Sequence, residues 1–300
     1  MATEAKSATV PDTTAQNFCV AVNQDGVLSA ATFDSNNYWG ELQRQDVGIT
    51  GSPALVNYYG RNYCVHQGAG DGKLWYGEFT WDAPRLKWLF DAQLSPEVSV
   101  SGSPAVAVYE GLVYCVYRGS EDMLYCVSFD GTTWSEPTKV TPEIKLTANP
   151  SLAVFREKIY CAYQQSGGSG WIYYASFDGK SWTGGTLIEN YGMSASPALI
   201  EYRGYLWILH QEYGDRGWLW SGFFDGVKWG KDTPVADVGM ADSPALTVSS
   251  GDPETLYCLH RGRGGNRDLW LSRYNGTEWF KDQVKIQGNL SASPGVVRIA

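Results

Sequence analysis

Short apolar runs separated by turn residues recur along this chain at an interval of about 46 to 51 residues. Each unit opens on a Ser-Pro or Asn-Pro step: Ser52-Pro53, Ser103-Pro104, Asn149-Pro150, Ser196-Pro197, Ser243-Pro244 and Ser293-Pro294. A run such as Pro53-Ala54-Leu55-Val56 follows, then a turn and a second run such as Tyr63-Cys64-Val65-His66. A Gly- and Asp-rich turn leads to a third run, which carries Leu74-Trp75 or Leu124-Tyr125 and closes in a turn such as Phe129-Asp130-Gly131. A tryptophan opens the fourth run in all six copies, at Trp39, Trp88, Trp134, Trp182, Trp229 and Trp279.

Runs this short and this regularly punctuated predict four β-strands per copy, A to D, and helical periodicity is absent. A fixed interval near 50 residues is the mark of propeller blades. The expected fold class is therefore all-β, a six-bladed β-propeller of four-stranded antiparallel blades. The ends fit this: residues 17–50 supply strands B, C and D, and Ser293 to Ala300 supplies a lone strand A. The C-terminal strand is expected to close the first blade and remove the open edge of the sheet. Residues 1–16 are expected to form a flexible N-terminal tail and 17–300 the propeller. Both faces of a blade pack on neighbours, which explains why strands B and C are apolar nearly throughout. The strand-D tryptophans are expected in that inter-blade packing, and the Asp-Gly turns are scaffold.

The charge balance of 23 basic and 32 acidic residues, net −9, comes without any cluster of Lys and Arg, so no nucleic-acid partner is expected. No stretch approaches the roughly 20 apolar residues of a membrane span, and no membrane insertion is expected. The small, polar first residues do not read as a secretory signal. The expected location is cytoplasmic, or outside the cell by a route without a classical signal peptide. Of six cysteines, Cys19, Cys64, Cys115, Cys161 and Cys258 are read at one equivalent position, with Ile208 in the remaining copy. They are expected to be held apart, reduced and buried, with Cys126 outside the set. The spacing fits no metal site, and no cofactor is expected.

Candidate chemistry gathers at one end of the predicted ring, where the B–C turns and D–A connectors lie. Strand B closes on His66-Gln67, Tyr117-Arg118, Tyr163-Gln164, His210-Gln211 and His260-Arg261, which places all three histidines of the chain at one register. The facing strand-C position reads Trp75, Tyr125, Tyr173, Trp220 and Trp270. The first copy offers Ala21, Val22 and Ser29 instead. An aromatic face suits the C–H face of a pyranose, and Gln or Arg can bond vicinal hydroxyls. These fifteen residues are expected to form repeated sugar pockets in five copies; the competing reading is that they pack and satisfy one another. The serine of each Ser-Pro step is read as a turn cap, with a smaller chance that Ser101 and Ser194 point into a site. The turn acids Asp71, Asp122, Asp215 and Asp268 are read as solvated turn formers outside the site.

This layout, with turns such as Phe177-Asp178-Gly179-Lys180-Ser181-Trp182, resembles the β-propeller lectins of fungi and bacteria, particularly the six-bladed fucose-binding and tectonin-like types, over residues 17–300. The resemblance implies carbohydrate binding. The Arg, Glu and Trp triad that such fucose lectins carry in each pocket does not recur in register here, which argues against fucose. The run Ser128 to Trp134 is similar to a shortened sialidase Asp-box, a structural element. The expected function is a multivalent lectin without enzymatic activity, its partners glycans or glycoproteins, since several weak sites on one disc gain avidity. The alternatives are a protein-interaction propeller and, less favoured, a sialidase-like glycosidase, which should break the repeat with one pocket holding its carboxylates or arginines.

Overall fold

The computed structural model describes residues 15–299 apart from 84, 96, 97, 142, 143, 168, 215 and 252. All the regular structure described is strand, except one short 3₁₀ turn at Ser120–Asp122. No helix is long and apolar enough to cross a membrane.

The strands form four antiparallel sheets. Two have four strands, in the orders Thr138–Lys139, Leu124–Phe129, Leu112–Arg118, Ala105–Tyr109 and Ser151–Phe155, Lys158–Gln164, Trp171–Phe177, Thr186–Gly192. A third runs Gly295–Ile299, Asn17–Gln24, Val27–Asp34, Gln43–Tyr58, Arg61–Gly68, Leu74–Asp82, Arg85–Gln93. The fourth runs Ala198–Tyr202, Tyr205–Gln211, Trp218–Phe224, Thr233–Ser249, Thr255–Gly262, Leu269–Tyr274, Trp279–Ile286. The seven-stranded sheets differ from the four-stranded units expected, and the reason is local. In each, one long strand continues through a Ser-Pro step, and its pairing skips from Thr50 to Ala54 or from Ala241 to Ala245. The same chain thus serves as strand D of one repeat and strand A of the next. The antiparallel sheets fit a propeller. Repeats are numbered below by their strand-D tryptophan, from Trp39 to Trp279.

Aromatic pairing fixes the strand register. Each strand-D tryptophan pairs with a ring near the end of its own strand C: Phe33–Trp39, Phe79–Trp88, Phe129–Trp134, Phe177–Trp182, Phe224–Trp229 and Tyr274–Trp279, at centroid distances of 4.5 to 5.2 Å. Such a pair is worth about 0.5–1.5 kcal/mol beyond its buried area. Contacts to the neighbouring repeat come second, as in Tyr76–Trp134 at 5.5 Å and Tyr174–Trp229 at 5.8 Å.

Counting from these rings corrects the cysteine alignment. In the later repeats the ring pairs two residues before Cys64, Cys115, Cys161, Ile208 or Cys258. In the first repeat Phe33 pairs with Phe18, so Val20 holds that place and Cys19 is one residue out of register. Successive strand residues face opposite ways. Cys19 therefore faces the second repeat and packs in one core cluster with Cys64, while Val20 packs against Tyr257 and Leu259 of the sixth. Cys126 and Cys161 share another cluster. All six cysteines are unpaired and buried, and burial pushes their thiols up, Cys126 to about 12. In a thiol titration the native protein should react only as fast as it opens, and denatured, unreduced protein should show six thiols. Two or more disulfides by mass spectrometry would contradict this.

The N-terminal expectation meets the structure at two residues, 15 and 16, because 1–14 lie outside the described part. Gln16 is bonded on both sides: its Oε1 accepts from the Ser250 amide at 2.8 Å, and its own amide donates to Ser35 Oγ at 3.1 Å.

Candidate functional site

The strand-B ends and strand-C aromatics face each other as the spacing predicts. His66 is opposite Trp75, Tyr117 opposite Tyr125, Tyr163 opposite Tyr173, His210 opposite Trp220 and His260 opposite Trp270. The three registers nevertheless do not converge on one pocket. Residues 66 and 67, and their counterparts, point to opposite faces of the strand, and each register has a different fate.

The ring at the first register is buried. His66, His210 and His260 are 0% exposed, Tyr163 is 0% and Tyr117 2%, so none presents a face to a ligand in this structure. Each histidine is held at both nitrogens. Nδ1 lies 3.1 to 3.2 Å from the next residue's carbonyl, and Nε2 3.0 to 3.2 Å from Asp91, Asp232 or Asp282. These aspartates stand three residues after the strand-D tryptophan. Where that position is Pro137 or Gly185, the partner on strand B is tyrosine, and a Cβ at Gly185 would lie 2.1 Å from the Tyr163 hydroxyl. Burial pushes both tyrosine hydroxyls up. These five residues therefore support the site from behind, which corrects the ligand-binding role expected of them.

The forked side chains at the second register tie adjacent connectors together. Gln67 Nε2 donates to the Val100 carbonyl at 3.1 Å, and Gln164 Nε2 to Met193 at 2.9 Å. Arg118 reaches Ser101 at 2.7 Å and Thr147 at 3.0 Å, and Arg261 reaches Leu290 at 3.4 Å with an ion pair to Asp242 at 2.7 Å. With the register corrected, the first repeat supplies Asn23 here, and its Nδ2 donates to the Gly51 carbonyl at 3.0 Å. The first copy does the same task after all. Gln211 holds the register half-buried in the fifth repeat. The pattern is a structural belt around a polar opening of about 460 Å³, lined by Gln67, Arg118 and residues from the Ser-Pro connectors.

Below the opening, the Ser-Pro and Asn-Pro steps of all six repeats line a narrower cavity of about 160 Å³. Their side chains link repeats rather than cap their own turns. Ser103 Oγ accepts from the Ser52 amide at 2.8 Å, Asn149 Oδ1 from Ser103 at 2.9 Å, Ser196 Oγ from Asn149 at 2.8 Å and Ser293 Oγ from Ser243 at 2.9 Å. Ser194 Oγ accepts from the Gly214 amide, and the Ser101 carbonyl accepts from Arg118.

The third register shares its partial exposure with the second, but its side chains are rings. Trp75, Tyr125, Tyr173, Trp220 and Trp270 are all half-buried, each across the strand pair from a buried ring. Tyr117 and Tyr125 stack at 5.8 Å, and Tyr163 and Tyr173 at 6.1 Å. Two of the indoles are oriented from the B–C turn: Trp75 Nε1 donates to Asp71 at 2.7 Å and Trp270 Nε1 to Asn266 at 3.4 Å. Asp71 is exposed and accepts the Lys73 amide at 2.9 Å, as a solvated turn former does, and holds the Trp75 indole besides. Its counterpart in the sixth repeat is Asn266 rather than Asp268, which instead accepts from the Gly288 amide. Asp122 lies 3.8 Å from Arg118, and Asp215 is outside the described residues. Two clefts of about 270 Å³ open beside these rings. One is lined by Trp218, Trp220, Glu212 and 234–237, the other by Trp270, Arg263, Asn266, Asp237, Gly239, Lys281 and Asp282. Among the described residues no group of three His, Cys, Asp or Glu could hold a metal.

No family model matches the sequence, and no curated protein matches it. Solved structures do match. A fucose-specific lectin from Aleuria aurantia aligns with a TM-score of 0.67 at 15% identity, over 91% of this chain and 92% of that one. AofleA from Arthrobotrys oligospora aligns at 0.64 and 10% identity, over 95% and 89%. The chain has a β-propeller fold like that of the fucose lectins. A Trypanosoma rangeli sialidase in complex with sialic acid also aligns, at 0.61 and 12% identity, over 90% of this chain. The propeller spans about half of that enzyme's chain, 53%. Likeness at these identities speaks for the fold.

Two features of the propeller were missed from sequence. In the fourth and fifth blades strand D bulges away from strand C, its partner jumping from Gly192 to Leu187 opposite Trp171/Tyr173 and from Gly239 to Pro234 opposite Trp218/Trp220. Asn190 and Asp237 occupy these bulges with left-handed φ of 66° and 58°. Bulges re-aim side chains at the edges of sites. Here each frees a second exposed ring, Trp171 or Trp218, two residues before the strand-C aromatic. The remaining feature is an Arg61–Glu78 ion pair, with the guanidinium 5.4 Å from the Tyr63 ring centroid. It is local to the second blade, since the Glu78 position is serine, serine, Phe223 and Arg273 in the later ones.

Proposed function

We propose that this chain is a multivalent carbohydrate-binding lectin, a closed six-bladed disc whose sugars stack on strand-C aromatics in clefts near the B–C turns. The observation that carries the reading is the third register: five blades leave an aromatic ring half-buried opposite a buried ring of strand B, with Tyr125 and Tyr173 stacked on that partner and the indole N–H of Trp75 and Trp270 held by a turn residue. A ring fixed in this way offers a sugar a flat apolar face at little cost in side-chain ordering. Six blades are supported by the six Ser-Pro or Asn-Pro steps around one cavity, and closure by the pairing of Gly295–Ile299 with Asn17–Ala21. The fold shared with fucose-specific lectins agrees with the reading.

The shared fold with a sialidase raises a hydrolase as the competing reading. The polar opening at the centre argues against it, because Arg118 is the one arginine among its described lining residues and already donates to two carbonyls.

A glycan array followed by calorimetry tests the proposal. Wild-type protein should retain glycans with more than one site per chain. The Trp75→Ala, Trp220→Ala, Trp270→Ala triple variant should lose retention with its fold intact, each ring contributing about 1 kcal/mol. A flat array would favour a protein partner, and one site per chain would end the multivalent reading.

A further inference from the structure

We propose that the fifth and sixth blades form one continuous groove that takes a linear oligosaccharide across two subsites, rather than two separate monosaccharide pockets. This rests on the carbohydrate reading above. The two clefts, each about 270 Å³, meet at Asp237, which lines both. Each is below the roughly 300 Å³ at which small-molecule pockets usually begin. Each has room for one sugar ring, and only together do they hold a longer chain.

The wall between them is built for contact with a ligand. Arg263 comes from the B–C turn of the sixth blade and lays its guanidinium 4.1 Å from the centroid of the Trp218 ring in the fifth. It crosses on glycine: a Cβ at Gly217 would lie 2.8 Å from Arg263 Cγ, and one at Gly239 3.1 Å from its Cβ. Stacking occupies the face of the guanidinium and leaves its edge. Among the described residues no side-chain or backbone acceptor holds those N–H groups, although Arg261, two residues earlier, is tied to Leu290 and Asp242. A stacked guanidinium with free edge donors matches vicinal hydroxyls. Trp218 and Trp220, two residues apart on strand C, continue the apolar floor by about 6.7 Å. The groove then reads Trp220, Trp218 with Arg263, Asp237, and Trp270.

The neighbouring interface carries a related arrangement with a different occupant, which shows what is particular here. Tyr213 crosses Gly170 and Gly192 of the fourth blade, and Asn190 replaces Asp237 in the bulge. Among the described residues no guanidinium stacks on Trp171 or Tyr213 as Arg263 does on Trp218.

The test is calorimetry with ladders of glucose, mannose, galactose and N-acetylglucosamine oligomers, each of one to four units. The protein should bind at least one ladder with affinity rising more than tenfold between one unit and three. Arg263→Ala and Trp218→Ala should bring that ratio close to one, and Arg263→Lys should as well, since an ammonium keeps the charge but not the stacked plane. Lys87→Ala, an exposed charge on strand D of the second blade, should leave the ratio as it is. Equal affinity for one and three units in every bound ladder, or an unchanged ratio in both the Arg263→Ala and Trp218→Ala variants, overturns the groove while sugar binding stands. Failure of the wild type to bind any carbohydrate, on these ladders and on the array, overturns the carbohydrate reading and the groove with it.

Discussion

Deleting residues 293–300 should leave a chain that aggregates, or that melts without cooperativity far below the full-length protein. The last strand pairs residue by residue with the first, from Asn17 with Ile299 to Ala21 with Gly295. Its side chains serve both neighbouring interfaces, Ile299 and Val297 packing with Cys19 and Cys64, and Val296 with Phe18 and Leu259. Ser293 Oγ accepts from the Ser243 amide, and Arg298 donates to Ser250 Oγ at 2.7 Å. Losing the strand removes several hydrogen bonds of about 0.5–1.5 kcal/mol each and uncovers apolar surface worth about 25 cal/mol per Å². A domain stabilised by about 5–15 kcal/mol cannot absorb such a loss. The newly bared edge, Phe18 to Val22, is apolar and fully buried in the native protein, so it should recruit other chains. Val297→Asp should act in the same direction more mildly. A soluble deletion with an unchanged melting curve would sink the closed six-bladed disc.

The repeat was legible because turns and rings are punctuation that the sequence writes openly. Ser-Pro steps and strand-D tryptophans locate every repeat, and the strand-B and strand-C residues singled out at one end, such as His66 and Trp75, are cross-strand partners. Errors came where one residue decides a face. Anchoring the first copy on Cys19 shifted it by one and hid Asn23, whereas the Phe33–Trp39 pair would have anchored it correctly. Grouping His66 with Gln67 overlooked the alternation of a strand, which sends one toward Asp91 and the other toward Val100. The bulges at Asn190 and Asp237 had little sequence signal beyond Gly192 and Gly239, which gain their meaning from the side chains that cross them.

These corrections change what the repeated polar residues mean. Repetition in five copies suggested binding, yet a propeller must solve the same joint at every interface, and identical joints repeat as readily as identical sites. Buried polar groups need partners. Two rings of cross-links, Gln or Arg to connector carbonyls and Ser or Asn to connector amides, supply them around the channel. What distinguishes candidate function from joint is commitment: the Gln and Arg side chains are as half-buried as the strand-C aromatics, but Gln67, Arg118, Gln164 and Arg261 already bond connector carbonyls.

The strongest signal of a joint was present in the sequence. Every histidine at the strand-B register is matched by an aspartate three residues after the strand-D tryptophan: His66 with Asp91, His210 with Asp232, His260 with Asp282. Tyrosine goes with Pro137 or Gly185, and Val22 with Leu42. Asp282 should therefore be among the most costly residues to truncate. Its Oδ1 lies 3.2 Å from His260 Nε2 and accepts from Ser272 Oγ at 2.9 Å, and its side chain is only 8% exposed. Asp282→Ala strands a buried imidazole nitrogen and a buried hydroxyl, at about 2–4 kcal/mol in all, read as a shift in the urea midpoint. Asp282→Asn keeps an acceptor and should cost less. His260→Tyr with Asp282→Gly recreates the fourth blade's pairing and should recover stability relative to the sum of the single variants, as a double-mutant cycle measures. Because His260 is the cross-strand partner of Trp270 and Asp282 lines the same cleft, Asp282→Ala should also weaken sugar retention at that site. A cost below about 0.5 kcal/mol for Asp282→Ala, or strict additivity in the double variant, would mean that the histidines are packed there without need of their aspartates.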